Sequence, residues 1–269
     1  MGANQLAATE TIAVVIAAGL GSRILPLSHD IPKCMLEVQG EPMLHRALTI
    51  FSNLNVNKSV IVGGYKSDKL VLPNGVELVI NDEYMHNNIL HSLAYARPAI
   101  KEKESVLISY SDIIFRQSIV TQLLSEDQYD VSIVVDRSWD ERYVGRTLHP
   151  LSEAEAVQFD SDGRLLRTGK NLLTLQHDPK QFGEFIGMLK LTPTGYRQFW
   201  DLYDEINAEL DGEAPFQQSE NWRRAYLTDL LQEMADRDLE VHCTLIQGGW
   251  LEIDTLQDYE TAQSFDFSL

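Results

Sequence analysis

An α/β fold, with a mostly parallel central sheet flanked by helices and a subsidiary lobe, is predicted by three observations. Short β-branched apolar runs alternate with segments whose apolar residues recur every three or four positions. A glycine-containing loop stands directly after the first of these runs. The 269 residues are 44% hydrophobic, enough to bury a substantial core and too apolar for a disordered chain.

In chain order, Thr11–Ala18, Ser59–Val62, Val76–Ile80, Val106–Ser109 and Val131–Val135 read as strands, each short and rich in β-branched side chains. Between them Pro42–Asn53, Asn88–Ala96 and Gln117–Leu124 read as helices, Pro42 suiting a first turn and Pro98 a stop. Such alternation puts helices on both faces of a parallel sheet. From Asp136 to about Met188 come charged loops and short strands at Ala156–Phe159, Leu165–Thr168 and Phe185–Leu191. Asp162-Gly163 is a hairpin signal between the first two. This stretch reads as an excursion from the sheet that forms part of a ligand cleft. Helices return at Gly195–Glu209 and Arg223–Asp236, and a strand near Glu240–Ile246 and a helix after Thr255 close the chain. One domain over 1–269 is the economical reading.

Lys and Arg number 22 against 40 Asp and Glu, a formal charge of −18. That balance argues against a generic nucleic-acid binder and offers no polybasic segment for a membrane surface. Any anionic ligand must then be met by a few local cations. Cys34 and Cys243 are too few and too far apart for a disulfide framework or a four-cysteine zinc site, and read as buried thiols. Met1–Thr11 lacks a basic signal-peptide region and has Leu6 where acylation needs Ser or Thr. The longest apolar run falls short of the ~20 residues of a membrane helix, so a cytoplasmic location is expected. The oligomeric state is left open, a homo-oligomer included.

The loop runs AAGLGSRILP from Ala17 to Pro26, followed by PKCMLE from Pro32 to Glu37. Gly19 and Gly21 let backbone approach a ligand, and successive N–H groups can form an anion-binding concavity. A dinucleotide fingerprint would need glycine where Ile24 stands, and a P-loop would need Gly before Lys33, where Pro32 stands. Arg23 offers a fork for phosphate oxygens and Lys33 a compact charge, with prolines stiffening the segment between them. One Arg, one Lys and a row of N–H groups suit a triphosphate.

These two runs resemble the signature of nucleotidyltransferases that join an NTP to a phosphorylated acceptor and release pyrophosphate. NNILHS at Asn87–Ser92, SDII from Ser111 and LEID ending at Asp254 resemble the small cytidylyltransferases. RYVGRT from Arg142 and GEFIG from Gly183 are most similar to phosphonate cytidylyltransferase domains, often fused to a mutase for which this chain has no room. The resemblance covers nearly the whole chain and implies a Rossmann-like nucleotidyltransferase fold. Residues 11–135 would form the nucleotide-binding part, 136–192 the acceptor side, and 193–269 the closing helices and metal-binding strand. It implies Arg23 and Lys33 as catalytic cations. Ala17, Ala18, Gly19, Gly21, Ser22, Asn88, Ser92 and Ser111 would surround the nucleotide. Asn87 reads equally as a helix N-cap.

Asp112 follows an apolar strand, where open α/β sheets bind ligands, and Glu252 and Asp254 alternate about Ile253 so that an extended segment points both one way. Such hard oxygen donors suit Mg²⁺. The resemblance makes Asp112 and Asp254 its ligands and Glu252 a third ligand or outer partner. For the acceptor, Arg142, Arg146 and Lys170 would meet its anionic end, and Glu184 could receive an amine. Arg142 and Arg146 read equally as a solvated pair balancing nearby acids, and Trp139 with Tyr143 could box a trimethylammonium. The histidines show no metal spacing and receive no role. The resemblance implies CTP as donor and a small phosphonate as acceptor, 2-aminoethylphosphonate first, with phosphocholine or a sugar 1-phosphate as alternatives. A non-catalytic nucleotide-binding regulatory subunit is the rival of a different class.

Overall fold

The computed structural model describes residues 10–172, 178 and 180–268. The stretch before Glu10, read as carrying no targeting pattern, and His177, given no role, lie outside them. The first half runs β1 (Thr11–Ala17), α1 (Leu25–Ser28), β2 (Glu37–Val38), β3 (Glu41–Pro42), α2 (Met43–Asn53), β4 (Lys58–Gly63), β5 (Val76–Ile80), α3 (Ile89–Ala94), β6 (Ser105–Tyr110), β7 (Ile113–Phe115), α4 (Gln117–Ser125) and β8 (Val131–Asp136). The second half runs α5 (Trp139–Tyr143), β9 (Ala156–Phe159), β10 (Leu165–Gly169), β11 (Phe182–Leu191), α6 (Pro193–Glu209), α7 (Leu227–Asp236), β12 (His242–Ile246), β13 (Trp250–Glu252) and α8 (Leu256–Ala262).

β6, β1, β4 and β5 are neighbours in that order and parallel throughout. Alternate residues of β1 enter opposite cores, as a pleated strand covered on both faces requires. Ile12, Val14 and Ile16 pack with Leu90, Leu93, Phe199 and Leu230 from α3, α6 and α7. Ala13, Val15 and Ala17 pack with Leu44, Phe51 and Val120 from α2 and α4. At about 1.5–3 kcal/mol for each large side chain removed from water, these two layers supply the main drive to fold. Cys34 and Cys243 are free and buried within them, and burial pushes the Cys34 thiol up to about 12.

Beyond β6 the structure departs from the sequence reading. The stretch read as an excursion does not leave the sheet: β9, β10 and β11 all join it, in the order β10-β9-β11-β6. β11 is antiparallel to β6, β8 and β9, and a bulge between Phe185 and Leu189 lets one ten-residue strand serve all three. β12 lies parallel to β8. A hairpin forms at Asp162-Gly163, with Gly163 at φ 81°, but its turn is longer than the two residues expected, since Phe159 pairs with Leu165 and Asp160 N donates to Arg164 O. The ribbon in which β13 pairs antiparallel with β7 was not foreseen, since three-residue strands are too short to show a period. Among the described residues no helix is long and apolar enough to cross a membrane.

Candidate active site

A cleft of about 450 Å³ opens at the carboxyl ends of β1 and β6. Ala17, Ala18, Gly19, Gly21 and Ser22 line it from the loop after β1, and Asn88, Ser92 and Ser111 line it from α3's start and β6's end. Gly21 is left-handed at φ 58°, and a Cβ there would come within 3.1 Å of Lys33 Cβ. Glycine therefore lets the loop turn and lets Lys33 pass beneath it. Lys33 opens a single helical turn, Lys33–Met35, after the extended Pro32.

The β7–β13 ribbon brings the carboxylates to that lysine. Ile253 N donates to Asp112 O at 2.9 Å, which places Asp112, Glu252 and Asp254 at one end of the ribbon and in the cleft wall. Lys33 Nζ donates to Asp112 Oδ2 at 2.8 Å and also to Asp254 Oδ1. Arg23 meets the other Asp254 oxygen at 2.6 Å. Burial alone would pull the Lys33 ammonium down; Asp112, Asp254 and Glu252 outweigh it and raise it, so Lys33 stays charged. Burial alone would raise Asp254, but Lys33, His149 and Arg23 hold it well below the usual carboxylate range. Glu252 is raised, by burial first and then by Asp254.

His149, without a role in the sequence reading, is buried at the same point. Nδ1 lies 3.4 Å from Asp254 Oδ2, and Nε2 lies 3.7 Å from Glu252 Oε2. His149, Glu252 and Asp254 could bring three donor atoms to one ion, all within 4.8 Å of one another. The carboxylates Asp112, Asp254 and Glu252 are hard oxygen donors, so their chemistry fits a magnesium-class ion bound together with phosphate oxygens. His149 comes from a loop without local pattern, and only the fold brings it here.

Lys170 and Glu184 also line the cleft, whereas Arg142 and Arg146 do not. Arg142 donates to Asp136 Oδ2 at 2.6 Å and to the Trp250 carbonyl, and its guanidinium lies 4.4 Å over the Trp250 ring. Arg146 spans Asp258 at 2.7 Å and Glu252 at 3.0 Å. Both readings, acceptor-phosphate ligands and solvated pair, are thereby corrected: the two arginines are half-buried braces of the strand that carries the carboxylates. Trp139 is 1% exposed in a small core with Ala154 and Ala156, so it cannot box a ligand with Tyr143.

Other polar groups escaped the sequence reading. Buried Asn81 donates to Asn87 Oδ1 and Ser92 Oγ, each at 2.9 Å, so Asn87 is neither a cap nor free to read a base. Asn88 holds the N-cap position of α3 and donates to Arg224 O at 2.9 Å. Asp136, fully buried, accepts from Ser138, Arg142, Gly248 and Trp250 and anchors the approach to β13. Its place at the end of β8 is the same signal that flagged Asp112. Glu155 immediately precedes β9 and accepts from Tyr110 at 3.1 Å.

The family model of MobA-like NTP transferase domains matches residues 13–205. A CTP:phosphoglutamine cytidylyltransferase of Campylobacter jejuni is 28% identical over 258 residues, covering 92% of this chain and 97% of that protein. A 2-aminoethylphosphonate cytidylyltransferase of Lancefieldella rimae is 29% identical over 222 residues, covering 76% of this chain and 83% of that protein. An inositol-1-phosphate CTP transferase from T. maritima has the same fold, with a TM-score of 0.71 at 20% identity over 95% of each chain.

Proposed function

The chain belongs to the family of MobA-like NTP transferase domains and is a nucleotidyltransferase; from that premise we propose that it transfers CMP from CTP to a small phosphonate, with 2-aminoethylphosphonate as first acceptor. The observation that carries the reading is Lys33, a buried cation bridging Asp112 and Asp254 on the floor of a cleft lined by the glycine loop. An acceptor oxygen would attack the α-phosphorus, forming a new P–O bond as the α–β bridging P–O bond breaks and pyrophosphate departs with the electron pair. A phosphonate oxygen is already ionised near neutral pH, so no general base is needed.

The protein's task is then alignment and charge neutralisation. Arg23 and Lys33 would turn from the carboxylates to the triphosphate and balance the charge that grows on the leaving pyrophosphate. The loop from Ala17 to Ser22 would present backbone N–H groups, and Asn88, Ser92 and Ser111 would border the nucleoside. A magnesium ion held by Asp112 and Asp254, with Glu252 beside them, would supply further neutralisation of phosphate charge. Lys170 would meet the acceptor's phosphorus-bound oxygens.

A phosphorylated glutamine is the second acceptor, favoured by similarity that runs over 97% of the length of the Campylobacter jejuni enzyme. The test is pyrophosphate release, crossing four NTPs with 2-aminoethylphosphonate, phosphoglutamine, phosphocholine and hexose 1-phosphates. Turnover with phosphocholine and none with phosphonates would overturn the acceptor assignment. Tight CTP binding without release from any acceptor would instead favour a regulatory nucleotide-binding subunit.

A further inference from the structure

Glu184 lines the cleft yet is only 3% exposed. Tyr143 donates its hydroxyl to Oε1 at 2.6 Å, which fixes the carboxyl's orientation. Oε2 has no hydrogen-bond partner among the described residues. Buried polar atoms in folded proteins are almost always partnered, so an orphaned acceptor in a ligand cleft marks a bond that the ligand completes.

Charge on the same wall points the same way. Glu153, Glu155, Glu184 and Glu252 stand there with Lys170, whose ammonium is taken by Glu153 at 2.9 Å. Burial pushes Glu155 and Glu184 up to about 8, and Glu252 adds to both. Lys170 only tempers Glu155, and Arg142 and Arg146 only temper Glu184. Burial disfavours the ionised forms of both glutamates; an acceptor that brings its own cation would favour the ionised Glu184 carboxylate, whereas a purely dianionic one would oppose it.

We infer that Glu184 is the receptor for a primary ammonium on the acceptor, so that the substrate class is amino-bearing phosphonates and phosphates. The inference rests on the nucleotidyl-transfer reading above. An N–H donor is what Oε2 lacks, and a charge-assisted bond to it is the strong kind. A trimethylammonium has no N–H and would need open aromatic faces. Lys170 already lies 4.6 Å over the Tyr226 ring, and Tyr110 packs edge to face with Phe185 at 5.9 Å. Hexose 1-phosphates bring no cation at all.

The experiment uses the full chain with CTP and Mg²⁺ and follows pyrophosphate release from three matched acceptors. These are 2-aminoethylphosphonate, its N,N,N-trimethyl analogue and ethylphosphonate. The primary amine should exceed both others in kcat/KM by roughly ten- to a hundredfold, the span of one hydrogen bond to a charged group. E184Q should carry the ratio of 2-aminoethylphosphonate to ethylphosphonate towards one, chiefly through acceptor KM. If E184Q fails to fold, the wild-type ratios decide alone. Equal use of ethylphosphonate, preference for the trimethyl analogue, or an unchanged ratio in a folded E184Q would overturn the ammonium receptor and leave nucleotidyl transfer standing. CTP binding without pyrophosphate release from any acceptor would overturn both.

Discussion

Replacing Lys33 with alanine separates a catalytic cation from a structural one. Lys33 is 9% exposed, and its ammonium joins two carboxylates from distant parts of the chain. Deleting one partner of a fully buried ion pair costs about 3–5 kcal/mol. Here Asp254 keeps Arg23 at 2.6 Å, and Asp112 has 26% of its side chain open to solvent, so about 1–3 kcal/mol is the better figure. At ~2–4 °C per kcal/mol for a chain of this size, Tm should fall by roughly 2–12 °C while the protein still folds. Loss of a preorganised charge beside the leaving pyrophosphate should cut kcat by about 10²–10³. Coupled pyrophosphate release at saturating CTP, with calorimetry on the same sample, measures both. A lowered Tm with wild-type kcat would make Lys33 a link between carboxylates and remove it from the chemistry.

Other consequences follow from the same geometry. Arg142→Ala should lower Tm by several degrees, since Asp136 loses its charged partner, while acceptor KM stays within about twofold; a large rise in acceptor KM would return Arg142 to the substrate. Gly187→Ala should cost at least about 2 kcal/mol in urea unfolding, because its φ is 78° and a Cβ would sit 2.2 Å from the Tyr110 ring. Stability should also depend on pH in two opposed limbs. Glu155 and Glu184 hold their protons up to about 8, so their contribution is greatest at acid pH and is lost as pH rises from about 4.5 to about 8. Asp254 and Asp136 are depressed, so theirs is present above about 4 and is lost as pH falls below it. Urea midpoints from pH 3 to 9 should show both limbs, and Glu184→Gln should flatten the one between about 4.5 and about 8.

How much of this was legible in the sequence depends on the range of each signal. β1, β5, α2 and α6 announce themselves through local apolar spacing, and all form within a residue or two of their expected bounds. The glycine loop, Asp112 and Asp254 stand out because each follows an apolar run, and Lys33 because prolines hold it a short way beyond that loop; the fold brings them together. What stayed hidden is non-local. Arg142 and Arg146 look like surface cations in a charged loop, and only the crossing of β13 behind them shows which acids they serve. β11 looks like part of an excursion because a bulged strand that pairs with three others leaves no periodic trace. His149 and Asn81 matter only through partners that lie far away in sequence or are buried beside them.

The proposed reaction in this cleft is formation of a CMP-linked phosphonate from CTP. The direct measurement is phosphorus NMR of the full chain incubated with CTP, Mg²⁺ and 2-aminoethylphosphonate. Equimolar pyrophosphate and a new phosphonate–CMP anhydride should appear together, and neither should form without the acceptor. CTP left intact with every amino-bearing phosphonate and phosphate tried, while a hexose 1-phosphate is converted, would contradict that reaction.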